Sequence, residues 1–223
     1  MDARALISSV ALRKGAHLDI THVSRDGGLN DILSGVSTTH LLNLRSPTAM
    51  DYVSYSGSIC LFGPNGRLSF EGVPHRDGGF PFTAFPLPLT HVREFRLIHH
   101  TPKMMRPGTP LVFDQSFFPA LEMLTVDCDT NISYLLSALF SNPSSPPLLK
   151  TIAFIDCDLT EDFMEMLTRY ASERKDTTSA PLQKVIIAHP DGVFPSIASI
   201  RKLGEYVPVV DVRVGDEPPR DLT

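Results

Sequence analysis

Five short segments in the second half of the chain share one arrangement of hydrophobic and polar positions. Each has an apolar residue at its first, fourth and sixth positions. In an extended chain the fourth and sixth side chains lie on one face, and the third, fifth and seventh lie on the other. The pattern predicts five short strands with one buried face each: VREFRLIHH from Val92, LEMLTVDCD from Leu121, LKTIAFIDC from Leu149, LQKVIIAHP from Leu182 and VPVVDVRVG from Val207.

Between these strands the hydrophobic period changes from two to that of a helix. Thr160 is placed to cap one of the predicted helices, and Pro195 precedes another. The apolar faces consist of Ile132, Leu135, Leu136, Leu139 and Phe140 in the first helix, Phe163, Met166, Leu167 and Tyr170 in the second, and Ile197, Ile200 and Leu203 in the third.

The strand starts recur at a nearly regular spacing. The intervals from Val92 to Val207 are 29, 28, 33 and 25 residues, inside or just beyond the range of leucine-rich repeats. A helix that returns the chain to the next strand places consecutive strands parallel to each other. The second half of the chain therefore predicts an α/β repeat with a parallel sheet.

The N-terminal half follows the same pattern less regularly. Residues 57–72 predict a β-hairpin, in which Ile59 and Leu61 face Leu68 and Phe70 across the turn GPNG. Residues 72–90 show no periodicity and predict a loop. Two helix patterns lead to two candidate strands, HLDITHV and HLLNLRS; the helical positions are Leu6, Ile7, Val10 and Ala11, then Leu29, Ile32, Leu33 and Val36.

Together these elements predict one α/β domain over residues 1–223. We expect a leucine-rich-repeat solenoid of the ribonuclease-inhibitor type, with a curved parallel sheet, outer helices and about seven units. The clearest repeats span 91–215, and an irregular insertion with one β-hairpin occupies about 46–90.

Composition narrows the functional classes. The net charge of −5, without a local cluster of lysine or arginine, disfavours nucleic acid as a partner. No apolar run approaches the length of a membrane span. The 3 cysteines are widely spaced and form no CxxC pair, which disfavours a disulfide framework and a zinc knuckle. These features predict an intracellular protein, cytoplasmic or nuclear, that binds neither membrane nor nucleic acid.

An acidic cluster with a cysteine follows the third predicted strand. A calcium loop would need a glycine that is absent, and no histidine lies nearby for a transition metal. A nucleophilic cysteine would need a lowered pKa, whereas acidic neighbours raise it. We interpret the cluster as the turn of a repeat, with the cysteine facing inward; its members are Asp156, Cys157, Asp158, Glu161 and Asp162.

Other chemical candidates are weak. The string HRDGG at 75–79 resembles a kinase catalytic loop, but no glycine-rich phosphate loop precedes it. His99 and His100 end a strand, and with His75 or His189 they could form a metal site, although histidines at strand ends are more often solvated or bonded to turn carbonyls. GxSxG, GxGxxG and GxxxxGK[ST] are absent. We therefore predict no enzyme activity, no cofactor and no metal.

The strand positions that point away from the core remain as a candidate binding surface. They mix aliphatic side chains with isolated charges, a composition that favours a protein partner over a charged polymer. The predicted contact residues are Glu94, Arg96, Met123, Thr125, Asp127, Thr151, Lys184, Asp211 and Arg213.

The serial strand–helix units resemble a known family. The stretch from FFPALEMLTVDCD to FMEMLTRYAS, followed by VFPSIASIRKLGEYVPVVDVRVG, is similar to the C-terminal leucine-rich repeats of basidiomycete F-box-like proteins. The motif PxLxxLxLxxC is common by itself, but its repetition with these linkers is more specific. The resemblance covers residues 90–223 well.

This resemblance implies a substrate-recognition subunit of a cullin–RING ubiquitin ligase. In such proteins an N-terminal F-box binds a Skp-family adaptor and the repeats hold the substrate. Residues 1–50 lack the Leu-Pro opening of an F-box, so a Skp-family adaptor is expected only if a divergent F-box is present. Two alternatives stay open: a stand-alone repeat scaffold without ligase coupling, and a hydrolase or metal enzyme that uses loop residues.

Overall fold

The alternating segments form strands of a single sheet in the computed structural model of the protein. The structure describes residues 16–21, 47–54, 56–64, 66–71, 89–100, 115–129, 132, 136–177, 180–192 and 194–214. The strands are β1 (Ala16–Ile20), β2 (Ala49–Val53), β3 (Ser58–Gly63), β4 (Gly66–Phe70), β5 (Glu94–His99), β6 (Met123–Cys128), β7 (Thr151–Ile155), β8 (Lys184–His189) and β9 (Val209–Val214). The helices are α1 (Ser137–Ser141), α2 (Glu161–Thr177) and α3 (Ile197–Leu203), with a 3-10 turn at Gln115–Phe117.

The nine strands lie in the order β1-β4-β3-β2-β5-β6-β7-β8-β9. From β5 to β9 every neighbour is parallel and consecutive in sequence, as the pattern predicts. Only β3 runs against the other described strands, because β2, β3 and β4 form an antiparallel meander. The protein is therefore an α/β fold around a mostly parallel sheet.

The predicted hairpin is confirmed in its register. Ile59 lies opposite Phe70, and Leu61 lies opposite Leu68. β2, in contrast, lies inside residues 46–90, which the hydrophobic pattern predicts as an irregular insertion, so this part of the prediction is wrong. Met50 and Tyr52 of β2 are fully buried, so this strand extends the core of the parallel strands.

One hydrophobic core runs along the helix-bearing side of the sheet. The inward positions of β5 to β8 are all buried, because alternate side chains of each strand point to this side. They stack in two rows across the sheet: Phe95, Leu124, Ile152 and Val185, then Leu97, Val126, Phe154 and Ile187. The predicted core positions of β5 to β8 are therefore confirmed.

The connecting helices close the core. α2 begins after Thr160, whose hydroxyl accepts a hydrogen bond from the Phe163 amide at 3.3 Å, so the predicted cap is confirmed. Phe163 meets Phe154 edge-on with ring centroids 5.3 Å apart, which joins helix to strand. α1 is short, and Leu139 is its buried residue. No described helix has the length and apolarity that crossing a bilayer requires.

Two predicted core positions are exposed instead. Ile197, expected on the buried face of α3, is 77 % exposed, because α3 starts at this residue and has only one buried residue, Leu203. Val212 is 37 % exposed because β9 is the last strand of the described sheet. The two N-terminal helix patterns and the candidate strand HLLNLRS lie outside the described residues.

Candidate functional site

The nine predicted contact residues lie on one face of the sheet, here called the outer face, opposite the core. Because equivalent positions of β5 to β9 are paired across the sheet, the outer-face residues form three rows. The first row is Glu94, Met123, Thr151, Lys184 and Val209; the second is Arg96, Thr125, Ala153, Ile186 and Asp211; the third is Ile98, Asp127, Ile155, Ala188 and Arg213.

The rows differ in accessibility. Glu94 is exposed, and Met123, Thr151 and Lys184 are half-buried. Thr125 and Asp127, in contrast, are only 6 % and 7 % exposed, so they offer little surface to a partner. The first row is thus the part of the outer face that a partner can reach most readily.

One group of charges lies on β5 and β6. The Asp127 carboxylate accepts a hydrogen bond from the Arg96 guanidinium on the neighbouring strand. Its other oxygen lies 2.7 Å from Nε2 of His100, whose Nδ1 is 4.0 Å from Asp129. Asp127 therefore holds two neighbouring side chains in place, which explains how a nearly buried carboxylate is accommodated.

A second group of charges lies on β8 and β9. The Asp211 carboxylate accepts hydrogen bonds from Arg213 at 2.7 Å and from Lys184 at 3.3 Å. Burial alone would raise the pKa of Asp211, but the hydrogen bonds and positive charges of Arg213 and Lys184 outweigh it and lower that pKa. Five of the predicted contact residues, namely Arg96, Asp127, Lys184, Asp211 and Arg213, are thus paired within these two groups, and Glu94 belongs to neither.

Small and branched apolar side chains separate these two groups. Ala153 and Ile155 of β7, with Ile186 and Ala188 of β8, are all buried. The outer face therefore has a covered apolar centre, with an ion-paired group on either side of it. Because this centre is almost fully buried, the accessible side chains of the outer face lie around it.

Three members of the acidic cluster after β7, Asp156, Cys157 and Glu161, contact other parts of the chain, and Cys157 faces inward as predicted. The Cys157 thiol is buried and lies 3.2 Å and 3.4 Å from the carbonyl oxygens of Ile155 and Val126, to which it donates. Burial raises the pKa of this thiol well above its ordinary value, so a reactive thiolate is disfavoured. Asp156 takes a positive φ of 54°, a conformation that aspartate tolerates better than most residues, and turns the chain after the strand.

Glu161 joins two helices. Its carboxylate accepts hydrogen bonds from the Ser199 hydroxyl and from the Ser196 amide, the latter at 3.2 Å. The bond from Ser199 first, and then that from the Ser196 amide, lower the pKa of Glu161. A cleft between α2 and α3 opens beside this contact, lined by Glu161, Asp162, Met164, Glu165, Thr168, Ser199 and Lys202.

The histidines at the strand ends are bonded within the chain. Nδ1 of His99 lies 2.5 Å from the Ser54 hydroxyl, at the ends of β5 and β2. Nε2 of His189 lies 3.5 Å from the Asp156 carboxylate, and its Nδ1 accepts a hydrogen bond from the Asp191 amide at 3.2 Å. Among the described residues, no group of three or more histidine, cysteine, aspartate or glutamate side chains is arranged to hold a metal. His75 lies outside those residues.

The Ser54–His99 pair was missed by the sequence analysis. Ser54 follows β2, the strand that was not predicted, so nothing in the sequence pattern placed it beside β5. The alternation of Met50 and Tyr52 with polar neighbours is the signal that could have identified β2. With β2 assigned, the parallel pairing places Ser54 at the same edge of the sheet as His99.

Comparisons with known proteins identify no relative. No protein-family model matches the chain, no curated protein matches it, and no solved structure matches its fold.

Proposed function

We propose that the protein is a non-catalytic, protein-binding repeat of the leucine-rich type, related to the substrate-recognition repeats of F-box proteins. The observation that carries this proposal is a backbone hydrogen-bond pattern that recurs at the starts of β5, β6, β7 and β8. The residue before one strand offers its carbonyl oxygen to two successive amides at the start of the next.

The pattern occurs four times with little variation, at N···O distances between 2.7 and 3.1 Å. The acceptors are Thr48, Arg93, Glu122 and Lys150, and the donors are the successive pairs Arg93 and Glu94, Glu122 and Met123, Lys150 and Thr151, and Gln183 and Lys184. The strand register agrees with this hydrogen-bond pattern, because the first residue of each strand pairs with the first residue of its neighbour, from Ala49 of β2 to Val209 of β9. Equivalent units that stack on their neighbours are the defining property of a solenoid.

Binding by the outer face follows from this arrangement. In repeat proteins the successive strands present a broad surface on which side chains from several units contact one partner. Here the first row supplies the accessible side chains, while the paired charges of the second and third rows hold their neighbours in fixed positions. Glu94, Met123, Thr151 and Lys184 are the proposed contact residues.

The test compares two variants of the full chain in capture from fungal lysate. Glu94→Lys with Thr151→Lys changes the first row, and Glu165→Lys with Thr177→Lys makes the same change in net charge on exposed positions of α2. A protein that is retained by the wild type and by the α2 variant, but lost from the first-row variant, supports the proposal. Capture of the same proteins by both variants contradicts it.

The same capture separates two forms of the proposal. A Skp-family adaptor recovered in stoichiometric amount would support a ligase substrate receptor. A partner recovered without the adaptor would support a stand-alone scaffold.

A second candidate function rests on the Ser54–His99 contact, because a serine hydroxyl bonded to an imidazole is the core of many hydrolase sites. Ser54 is largely buried, and its amide is already bonded to the Ile98 carbonyl at 2.9 Å, so this amide cannot serve an oxyanion. A fluorophosphonate probe tests the idea. Labelling of the wild type that is lost in Ser54→Ala would support a hydrolase, whereas an unlabelled Ser54 would leave the binding function.

A further inference from the structure

The last strand of the sheet carries an unusual share of exposed apolar surface. Five large apolar side chains are exposed in the described part of the chain, and three belong to β9: Val209 at 48 %, Val212 at 37 % and Val214 at 71 %. β9 pairs with β8 on one side and is the end of the sheet within the described residues. A strand edge that no described strand covers, and that exposes apolar side chains, is a template for another strand.

The backbone of β9 determines which of its groups face that edge. The Val209 amide donates to Gln183 in the chain segment before β8, at 3.2 Å. Because the N–H and C=O groups of one strand residue point to the same side and alternate along the strand, Asp211 and Arg213 also point to β8. The N–H and C=O groups of Val210, Val212 and Val214 therefore point away from β8, to the edge that no described strand covers.

We propose that β9 pairs antiparallel with β9 of a second copy of this chain, in the register centred on Val212. Val212 then lies opposite its own counterpart, and Val210 lies opposite Val214 of the other copy. The backbone N–H and C=O groups of Val210, Val212 and Val214 all face the edge, so Val212–Val212 and Val210–Val214 are hydrogen-bonded pairs. Every edge-facing backbone group of the strand then has a hydrogen-bond partner.

The side chains select this register. In it, Asp211 of each copy lies opposite Arg213 of the other, at non-hydrogen-bonded positions, where facing side chains approach most closely. Moving the centre to Asp211 places two aspartates opposite each other, and moving it to Arg213 places two arginines opposite each other. Like charges that face each other across two strands are destabilising. Only the register centred on Val212 places each aspartate opposite an arginine.

A second copy fits better than an unrelated strand because the segment VVDVRV is complementary to itself. The two-fold axis through Val212 creates the Asp211–Arg213 contact twice with one strand sequence. It also brings the two Val212 side chains together and places each exposed Val214 opposite Val210 of the other copy. This proposal rests on the sheet edge alone and is independent of the binding function of the outer face.

The first experiment measures the mass of the full chain by light scattering on dilution from roughly 100 to 1 μM. We expect twice the chain mass of 24.6 kDa at high concentration. Asp211→Arg or Arg213→Asp alone should shift the mass to the monomer, and the double exchange should restore the dimer. Val212→Pro removes an edge-facing N–H without touching these charges and should also give the monomer, while Val212→Thr stays dimeric.

The second experiment tests the register directly. At hydrogen-bonded antiparallel positions the facing Cα atoms are about 5.5 Å apart, within the range of a disulfide. Val212→Cys should therefore form a covalent dimer on mild oxidation, whereas Val209→Cys should not, because its counterpart lies far along the strand. Far-UV circular dichroism establishes that each variant is folded. A monomeric wild type, a dimer that survives Val212→Pro, or equal cross-linking at both positions would overturn the proposal.

Discussion

Among the described charged side chains, Arg174 is the most completely buried. It is fully buried in α2, and its guanidinium donates to four backbone carbonyls: Ala180 at 3.1 Å, Pro143 at 2.7 Å, Pro146 at 2.7 Å and Leu149 at 2.9 Å. A buried charge is tolerated when its donors are satisfied, and arginine has the planar fork to satisfy several acceptors at once. It therefore ties α2 to the segment that leads into β7.

We expect Arg174→Met to lower the free energy of unfolding by about 3–5 kcal/mol, because four buried carbonyls would lose their donor. Urea unfolding followed by circular dichroism measures this loss. Arg169→Met, on the exposed side of the same helix, is the matched control and should change stability by less than about 0.5 kcal/mol. Equal losses in the two variants would contradict the role of Arg174.

Cys157 gives a prediction about reactivity. Its thiol is buried and has a raised pKa, while Cys60 is only half-buried. We expect iodoacetamide to modify Cys60 well before Cys157 in the native protein, and both at similar rates in denaturant, as followed by peptide mass spectrometry. Rapid labelling of Cys157 in the native protein would contradict this prediction and would indicate that Cys157 is a nucleophile.

Among the secondary-structure elements, α2 makes the most varied connections. Thr160 caps its first turn, Glu161 reaches the start of α3, and Arg174 secures its far end. α3, in contrast, is short and buries only Leu203. The attachment of α3 therefore depends in part on the hydrogen bonds that Glu161 accepts.

This dependence should vary with pH. The lowered pKa of Glu161 means that its carboxylate stabilises the fold above the ordinary value of 4.5, and that this stabilisation disappears as the pH falls through the lower, folded-state pKa. In thermal melts, the loss of stability from neutral to acidic pH should be smaller in Glu161→Gln than in the wild type. Glu165→Gln, an exposed change on the same helix, should behave like the wild type; identical profiles for all three proteins would exclude this contribution.

At the scale of the whole molecule, the sheet is a series of equivalent strands whose surroundings differ with position. Ile152 and Val210 occupy the same row of the core, but β7 lies between two strands and β9 lies at the end. Ile152 is fully buried, whereas Val210 is half-buried. Equivalent residues should therefore contribute unequally to stability.

We expect Ile152→Ala to cost about 2–5 kcal/mol, the range for deleting a buried aliphatic side chain. Val210→Ala should cost about 1 kcal/mol or less, because it removes fewer atoms from a site that is partly open to water. Chemical unfolding of both variants at roughly 1 μM protein, where the proposed β9 dimer is dissociated, tests this. A larger loss for Val210→Ala would show that β9 is better covered than the described sheet indicates.

Much of the fold was predictable because its signals are local. The period-two segments from Val92 to Val207, and the helical periods between them, determine parallel strands joined by crossovers. The hairpin register at Ile59 and Leu61 followed from the same alternation. β2 was missed because it lies beside irregular segments, and its burial depends on pairing with β5, which is far away in the sequence.

The candidate site was predictable in its position but not in its accessibility. Alternation along each strand is enough to place Thr125 and Asp127 on the outer face. It does not show that Thr125 is nearly buried or that Asp127 is used by Arg96 and His100, because these properties depend on neighbouring strands.

The sequence by itself therefore determined the described strands other than β2, the direction of β5 to β9 and the side of the sheet that faces the core, because backbone geometry links these features to hydrophobic period. Only the tertiary structure decided which polar groups meet. Ser54 and His99 are 45 residues apart, and Arg174 and Pro143 are 31 apart, so their contacts exist only after the sheet and its crossovers have formed. A hydrophobic pattern encodes which face of a strand is apolar, whereas hydrogen bonds between distant residues, and the burial of an end strand such as β9, depend on how the strands are assembled.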